Sequence, residues 1–420
     1  MGEYLPRLAD EQLHKALRAA GAVLIEGPKG SGKTRTAQQA AKSILMLQDP
    51  DRQKSYLQTA AIMPSLLLEG ETPRLLDEWQ MAPVLWDAVR FTVDQRDQMG
   101  QFILTGSAVP VKHKTAHTGT GRISRLRMRP MSLFESGDSS GTVSLRDLFA
   151  GSEDIAGISP LSIKDLSEVL IRGGWPASIG ADAEIAQKRA NDYVDAVINQ
   201  DVSRVDDVEK DPGKMRALMR SLARNVATEA TMNTLMQDME TEDESITAPT
   251  ISKYLQALKS IFVIEDLQAW NPSLRSKTPL RTTPKRHFID PSIATAVMGI
   301  SANRLLRDFN TFGYLFESLC VRDLRVYAEV LDGFLYHYRD KSNLESDAVL
   351  VLRDGSWAAI EVKMGAHYFD AAAETLKKFV SRVDTRKMNE PSFLMILSAT
   401  EFAYRRDDGV YVVPIGCLKP

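Results

Sequence analysis

The stretch Gly27-Pro28-Lys29-Gly30-Ser31-Gly32-Lys33-Thr34 has the spacing G-x-x-x-x-G-K-[ST], and its neighbours give that spacing its meaning. Ala22-Val23-Leu24-Ile25 precedes it, a short apolar run that reads as a buried parallel strand. Arg35-Thr36-Ala37-Gln38-Gln39-Ala40-Ala41-Lys42 follows it, rich in Ala and Gln, and reads as a helix. Strand, glycine loop and helix N-terminus in that order make an anion site. Glycines let the backbone amides turn inward, and the helix end adds a positive field. Lys33 is expected to place its charge near a γ-phosphate, and the Thr34 hydroxyl to ligate Mg²⁺. ATP and Mg²⁺ are therefore the expected ligands of Gly27, Pro28, Lys29, Gly30, Ser31, Gly32, Lys33 and Thr34.

Two further strand ends turn binding into hydrolysis. Leu75-Leu76-Asp77-Glu78-Trp79-Gln80 reads as a short strand ending in two acids. Asp77 suits the outer shell of Mg²⁺ and Glu78 the polarisation of an attacking water, the alternative being a simple acidic helix cap. Phe102-Ile103-Leu104-Thr105-Gly106-Ser107 is another apolar strand ending in hydroxyls, and Thr105 is expected to hold the water against the γ-phosphate. Open α/β sheets bind ligands at the C-terminal ends of their strands, which is where all three sets of residues fall.

A chain of 420 residues exceeds one ordinary domain. With 44% hydrophobic residues, 25% charged residues and a net charge of −3, its overall balance demands no nucleic-acid partner, so DNA contact has to come from local patches. Cys320 and Cys417 lack metal-ligand spacing, and no apolar run reaches membrane-spanning length. The N-terminus lacks a basic and apolar leader, and Pro6 stands where a myristoylation pattern wants Ser or Thr. A cytoplasmic protein without membrane contact is expected.

Residues 1–140 carry the nucleotide machinery. Within them Val111 to Arg129 holds Lys112, Lys114, Arg122, Arg125, Arg127, Arg129, His113 and His117 without one acid. Its glycine-rich centre around Arg122 reads as a mobile loop, able to offer an arginine finger in cis or to a neighbouring subunit, a DNA-facing patch, or only a solvated basic surface. Ser136 to Gly157, rich in Gly, Ser and Asp, reads as a linker or surface loop. Residues 141–210 are expected to form a helical lid, the pattern turning helical from Ser162 to about Asp211 around the sharp turn Arg172-Gly173-Gly174-Trp175-Pro176.

Residues 211–288 read as a winged helix. Helices at Arg216 to Asn225 and Met232 to Met239 precede a recognition helix, Thr250 to Lys259, and a strand, Ile261-Phe262-Val263-Ile264. Arg275, Lys277, Arg281, Lys285 and Arg286 follow and suit phosphate contacts. The same plan also serves domain packing alone.

Residues 289–420 hold the second chemical signal. Asp347-Ala348-Val349-Leu350-Val351-Leu352 and Trp357-Ala358-Ala359-Ile360-Glu361-Val362-Lys363 read as a hairpin around Arg353-Asp354-Gly355. That register sets Asp347 opposite Glu361, and period two puts Lys363 on the face of Glu361. Asp347 and Glu361 are expected to hold a divalent metal, Lys363 to act at a scissile phosphate, and Glu317 to add an acid from a helix. The plainer alternative is an amphipathic strand pair with its charged face in water.

Together these pieces resemble a prokaryotic family of AAA-type ATPases with a C-terminal domain of the PD-(D/E)xK restriction-endonuclease type. The resemblance rests on Tyr4-Leu5-Pro6-Arg7, Gly21 to Lys29, Asp77-Glu78-Trp79-Gln80, Phe102 to Ser107, Gly121-Arg122, Arg129-Pro130-Met131-Ser132-Leu133-Phe134-Glu135 and Glu361-Val362-Lys363. It implies an α/β chain: a P-loop AAA-type ATPase core with a helical lid, a winged-helix middle domain and an α/β restriction-endonuclease-like end. The expected function is Mg²⁺-dependent ATP hydrolysis controlling a nucleic-acid-binding C-terminal domain, with nuclease action as one option and a non-nuclease DNA-binding regulator as its rival. DNA and a second copy of the chain, meeting at the nucleotide site, are the expected partners. A small-molecule kinase is disfavoured, because the Asp-Glu pair suits water activation.

Overall fold

Adjacent residues of the first strands point to opposite faces of a sheet, and both faces are covered. The computed structural model describes residues 3–107, 118–203, 210–240, 246–272 and 283–420. They cluster into two units, the first formed by Met1–Pro130, Gln200–Glu209 and Gln256–Val263, the second by Met131–Asn199, Lys210–Leu255 and Ile264–Pro420.

The first unit runs α1 (Leu8–Ala19), β1 (Ala22–Glu26), α2 (Lys33–Ala40), β2 (Ser43–Met46), α3 (Gln53–Ile62), β3 (Arg74–Asp77), α4 (Val84–Arg96), β4 (Phe102–Gly106) and β5 (Ile123–Arg127). All five strands are parallel in the order β2-β3-β4-β1-β5. Leu24, Leu76 and Leu104 pack with Trp79, Trp86 and Val89. Val23, Ile25, Leu75 and Ile103 pack with Leu13, Leu17 and Ala37 on the other face. That double burial explains why these strands are apolar throughout instead of alternating. Of the basic stretch, Thr118 to Arg122 lie outside helix and strand, and Ile123–Arg127 continue as β5 instead of extending the expected loop.

The second unit continues with β6 (Val143–Ser144), α5 (Leu145–Phe149), β7 (Gly157–Ile158), α6 (Ile163–Arg172), α7 (Ala183–Ala196), α8 (Pro212–Arg224), α9 (Met232–Glu240), α10 (Ala248–Ser260, its last turn in the first unit), α11 (Pro291–Met298), α12 (Ala302–Leu305) and α13 (Phe309–Val330). It closes with β8 (Gly333–Arg339), β9 (Glu345–Leu352), β10 (Trp357–Lys363), α14 (Phe369–Arg382), β11 (Phe393–Ser398), β12 (Phe402–Arg405), β13 (Tyr411–Pro414) and β14 (Leu418–Lys419). Seven strands form one mixed sheet, β7-β12-β13-β11-β10-β9-β8. β9 runs antiparallel to both of its neighbours, β8 and β10, and β11 is parallel to β10 across the α14 crossover. Phe369, Leu376 and Phe379 of α14 cover Val349, Trp357 and Ala359.

The β9–β10 register is the expected one. Ala348 lies opposite Ile360, Leu352 N bonds Ser356 O, and Gly355 takes φ +89° in the turn. Other expectations give way. Ser136 to Gly157 is no free linker: β6 pairs with β14, Ser139 Oγ donates to Leu418 O at 2.7 Å, and β7 pairs with β12. Short serine side chains there satisfy backbone groups at close range. α6 and α7, read as a lid, cluster with the second unit and pack on α11. Ile261 to Val263 is a turn instead of a strand, because Ile261 N and Val263 N bond back to Ala257 O and Leu258 O of α10. Antiparallel bridges appear later, at Ile264 with Phe288 and Leu267 with Lys285. Lys112, His113, Lys114, His117, Arg275, Lys277 and Arg281 lie outside the described residues.

Candidate functional site

Close backbone packing fixes the glycine loop at the end of β1. A Cβ on Gly27 would sit 2.0 Å from Met128 O, so only glycine fits there. Gly32, with φ +97°, caps α2 in a left-handed conformation. Lys33 folds into this loop and donates to Gly27 O at 2.9 Å and Pro28 O at 2.8 Å. Its burial lowers the ammonium to about 8, with Glu78 and Asp77 working against the shift.

The fully buried Asp77 collects three donors. Thr34 Oγ1 reaches Oδ1 at 2.7 Å, Thr105 Oγ1 the same oxygen at 2.6 Å, and Gln48 Nε2 reaches Oδ2 at 3.0 Å. The sheet order explains this: β4 lies between β1 and β3, with Thr105 beside both Ile25 and Asp77. A hydroxyl and a carboxylate held 2.7 Å apart form an all-oxygen pair of the kind Mg²⁺ prefers. Glu78 follows in the left-handed region at φ +55°, and its carboxylate accepts from Gln80 Nε2, with Ser107 Oγ at 3.5 Å. Holding a non-glycine residue there costs about 1–3 kcal/mol, a strain typical of working sites.

The loop is braced from two sides. Arg7 donates to Ser31 O at 2.7 Å and Arg129 O at 2.8 Å, and the Tyr4 hydroxyl meets Thr36 Oγ1 at 2.9 Å. Lys29 Nζ lies 2.5 Å from Asp201 Oδ1.

In the second unit the expected acids and Lys363 do converge, but a second lysine, Lys285, converges with them. Lys285 Nζ contacts Glu317 Oε1 at 2.6 Å and Asp347 Oδ1 at 3.1 Å. Lys363 Nζ contacts Glu361 Oε2 at 2.8 Å and Asp347 Oδ2 at 3.4 Å, and Val362 N donates to Asp347 Oδ2. Burial pushes Glu317 up to about 7 against the pull of Lys285. Burial also raises Glu361 well above the carboxylate range, and Asp347 adds to it. Asp347 would rise too, but Lys285 and Lys363 hold it well below that range. No group of three or more His, Cys, Asp and Glu side chains suited to a metal occurs among the described residues. As arranged, these residues do not fit a divalent ion. Lys285, expected to touch phosphate, is buried in the acid cluster, and Arg286 pairs with Asp266 at 2.7 Å.

Comparison with known families separates the two halves. The profile of an AAA domain matches residues 19–136. The first unit is a P-loop ATPase domain. Profiles of two domains of unknown function match the remainder, DUF8612 over residues 163–304 and DUF4143 over 312–418. The uncharacterized protein Rv2008c of Mycobacterium tuberculosis is 23% identical over 353 residues, covering 82% of this chain and 71% of its own. The uncharacterized protein Mb2031c of Mycobacterium bovis shows the same figures. A solved Walker-type ATPase of Pyrococcus abyssi is similar over 70% of this chain and 96% of its own, at 12% identity and TM-score 0.42.

Within the ATPase domain, Lys33, Thr34, Asp77, Glu78 and Thr105 gather at one end of the sheet, but Arg122 does not. Ala22 N donates to Arg122 O, which sets Arg122 level with the start of β1, and its guanidinium pairs with Asp94 at 2.7 Å. The glycine loop begins past the other end of β1, about 16 Å away at 3.3 Å per residue. A finger acting on the nucleotide of its own chain is excluded by that span. Arg125 and Arg127 meet Glu26 instead. Sequence reasoning missed Gln48, Asp201 and the bracing role of Arg7. It quoted Ser107 but favoured Thr105, whose hydroxyl belongs to Asp77. Among the described residues no helix is long and apolar enough to cross a membrane.

Proposed function

We propose that the chain hydrolyses ATP with Mg²⁺ and that its nucleotide state controls nucleic-acid binding by the second unit. The observation that carries the first half is the Asp77 carboxylate shared by Thr34 and Thr105, with the strained Glu78 beside it. Thr34 and Asp77 are the residues to hold Mg²⁺, which when bound neutralises phosphate charge. Lys33 and the loop amides hold the phosphates. Glu78 takes the proton of the attacking water, and Gln80 with Ser107 orients its carboxylate. Thr105 fixes Asp77 and leaves orientation of the water to its neighbours.

The second half rests on the helices α8, α9 and α10 with the bridged segments after them, which support a winged-helix reading. The exposed Ser252, Lys253 and Gln256 on one side of α10 suit contact with nucleic acid. A helix, three antiparallel strands, a helix and a parallel strand around Glu317, Asp347, Glu361 and Lys363 support the nuclease-like fold reading. Lys285 among the acids favours the non-nuclease form of it, a DNA-binding regulator.

Two measurements test the whole. Glu78→Gln is expected to keep ATP binding and to lower turnover by about 10²–10⁴-fold, the usual worth of a positioned base. Fluorescence anisotropy of labelled DNA should differ between the ATP- and ADP-loaded protein. Near-normal turnover in Glu78→Gln removes Glu78 from its role, and identical DNA affinity in both nucleotide states removes the control.

A further inference from the structure

The acid cluster of the second unit gathers three carboxylates, the ligand type a hard cation prefers, around a lysine instead of an ion. Glu317 comes from α13, Asp347 from β9 and Glu361 from β10, and Glu361 Oε1 is buried without a hydrogen-bond partner. Entry is open, since a cavity of about 770 Å³ is lined by Glu317, Lys363, Phe309, Tyr314 and Tyr368. What occupies the place between Glu317 and Asp347 is the ammonium of Lys285.

That lysine is delivered, not merely nearby. Its backbone is fixed in both directions by Leu267, with Lys285 N to Leu267 O at 3.0 Å and Leu267 N to Lys285 O at 2.9 Å. Its side chain is 6% exposed, so removal from water is offset only by the carboxylates it bridges. With Lys363 it sets two cations against three acids. A divalent ion would compete for the same Glu317 and Asp347 oxygens and would leave the buried cluster with excess positive charge.

We propose that Lys285 stands in place of the divalent metal, a resident cation that keeps the nuclease-like site metal-free and silent. This rests on the reading of that site as nuclease-like, and it makes the inactivity a property of one side chain. The acids would then serve to clamp α13 to the β9–β10 hairpin, with Lys285 as the pin.

The test is titration of the full-length, nucleotide-free protein with Mn²⁺, followed by the electron paramagnetic resonance signal of the free ion. Wild-type protein should leave that signal unchanged beyond any site that survives Asp347→Asn. Lys285→Met, which keeps an unbranched side chain one atom shorter and removes its charge, should gain a Mn²⁺ site, and adding Asp347→Asn should abolish it. Lys285→Arg, retaining a cation, should gain nothing and controls for folding. If Lys285→Met does not fold, Lys285→Gln takes its place in the same titration. A wild-type Mn²⁺ site lost in Asp347→Asn overturns the proposal, as does a folded neutral variant that gains no site. DNA binding is read separately by anisotropy. Its absence would remove the nucleic-acid reading while the Mn²⁺ result stands.

Discussion

Lys29 of the glycine loop and Asp201 form an ion pair at 2.5 Å, joining the phosphate site to a segment that follows α7 in the chain. A triphosphate would compete with Asp201 for that ammonium. The geometry makes Asp201 a reporter of whether phosphate is bound.

Asp201→Asn should therefore free Lys29 for the nucleotide. Lys29 is half-exposed, so the pair is worth at most about 1 kcal/mol, and ATP affinity should rise by no more than about fivefold. The same variant should flatten the difference in DNA affinity between ATP and ADP states. Calorimetric titration of ATP checks the first effect, and an unchanged or weaker affinity would show that Asp201 does not restrain Lys29.

The buried Lys33 gives ATP binding a pH dependence of defined sign. Its ammonium sits at about 8 in the nucleotide-free protein, and bound phosphate favours the charged form. Below pH 8 the group is already protonated and affinity should be flat. Above pH 8 a proton must be taken up, and affinity should fall by up to about tenfold per pH unit. Lys33→Ala should lose both the binding and the dependence. A dissociation constant that stays level from pH 7 to 9.5 would show that Lys33 is already charged without nucleotide.

Arg122 can reach a nucleotide only on another copy of the chain. Arg122→Ala should keep ATP binding and lose turnover, by about 10³-fold for an arginine finger. Mixing it with Lys33→Ala should restore part of the activity, since each variant supplies what the other lacks. Full activity of Arg122→Ala alone would leave that arginine as the surface partner of Asp94.

A last prediction concerns stability. Arg322 is fully enclosed in the second unit, donating to Asp290 at 2.9 Å and Asp323 at 2.8 Å, and Asp290 also accepts from Gly174 N. Arg322→Leu would leave two buried carboxylates without their cation and should cost about 3–5 kcal/mol. Chemical denaturation measures it. A loss below about 1 kcal/mol would mean the carboxylates find other partners or take up protons.

How much of this was legible depends on distance along the chain. The loop, Asp77, Glu78 and the β9–β10 register could be read because each is set by a few consecutive residues: a glycine spacing, a strand end, a three-residue turn. Glu317 could be placed on a helix by periodicity. Lys285 could not be placed, because a lysine in a basic stretch looks the same whether it meets phosphate or is buried against acids 32 and 62 residues away. Arg7 and Asp201 were opaque for the same reason. The serines of Ser136 to Gly157 were misread because their composition is that of a linker, and only β14 reveals what they hold.

The edge strand β7 has a consequence for how the protein is made. Its partner, β12, leaves the ribosome roughly 240 residues later, a wait of about 10–50 seconds at ordinary synthesis rates. During that interval Gly157 and Ile158 have no β12 to pair with, while α6 to α11 emerge one after another. The nascent second unit thus spends its synthesis with that sheet edge unfinished, a non-local pairing that only the completed chain can close.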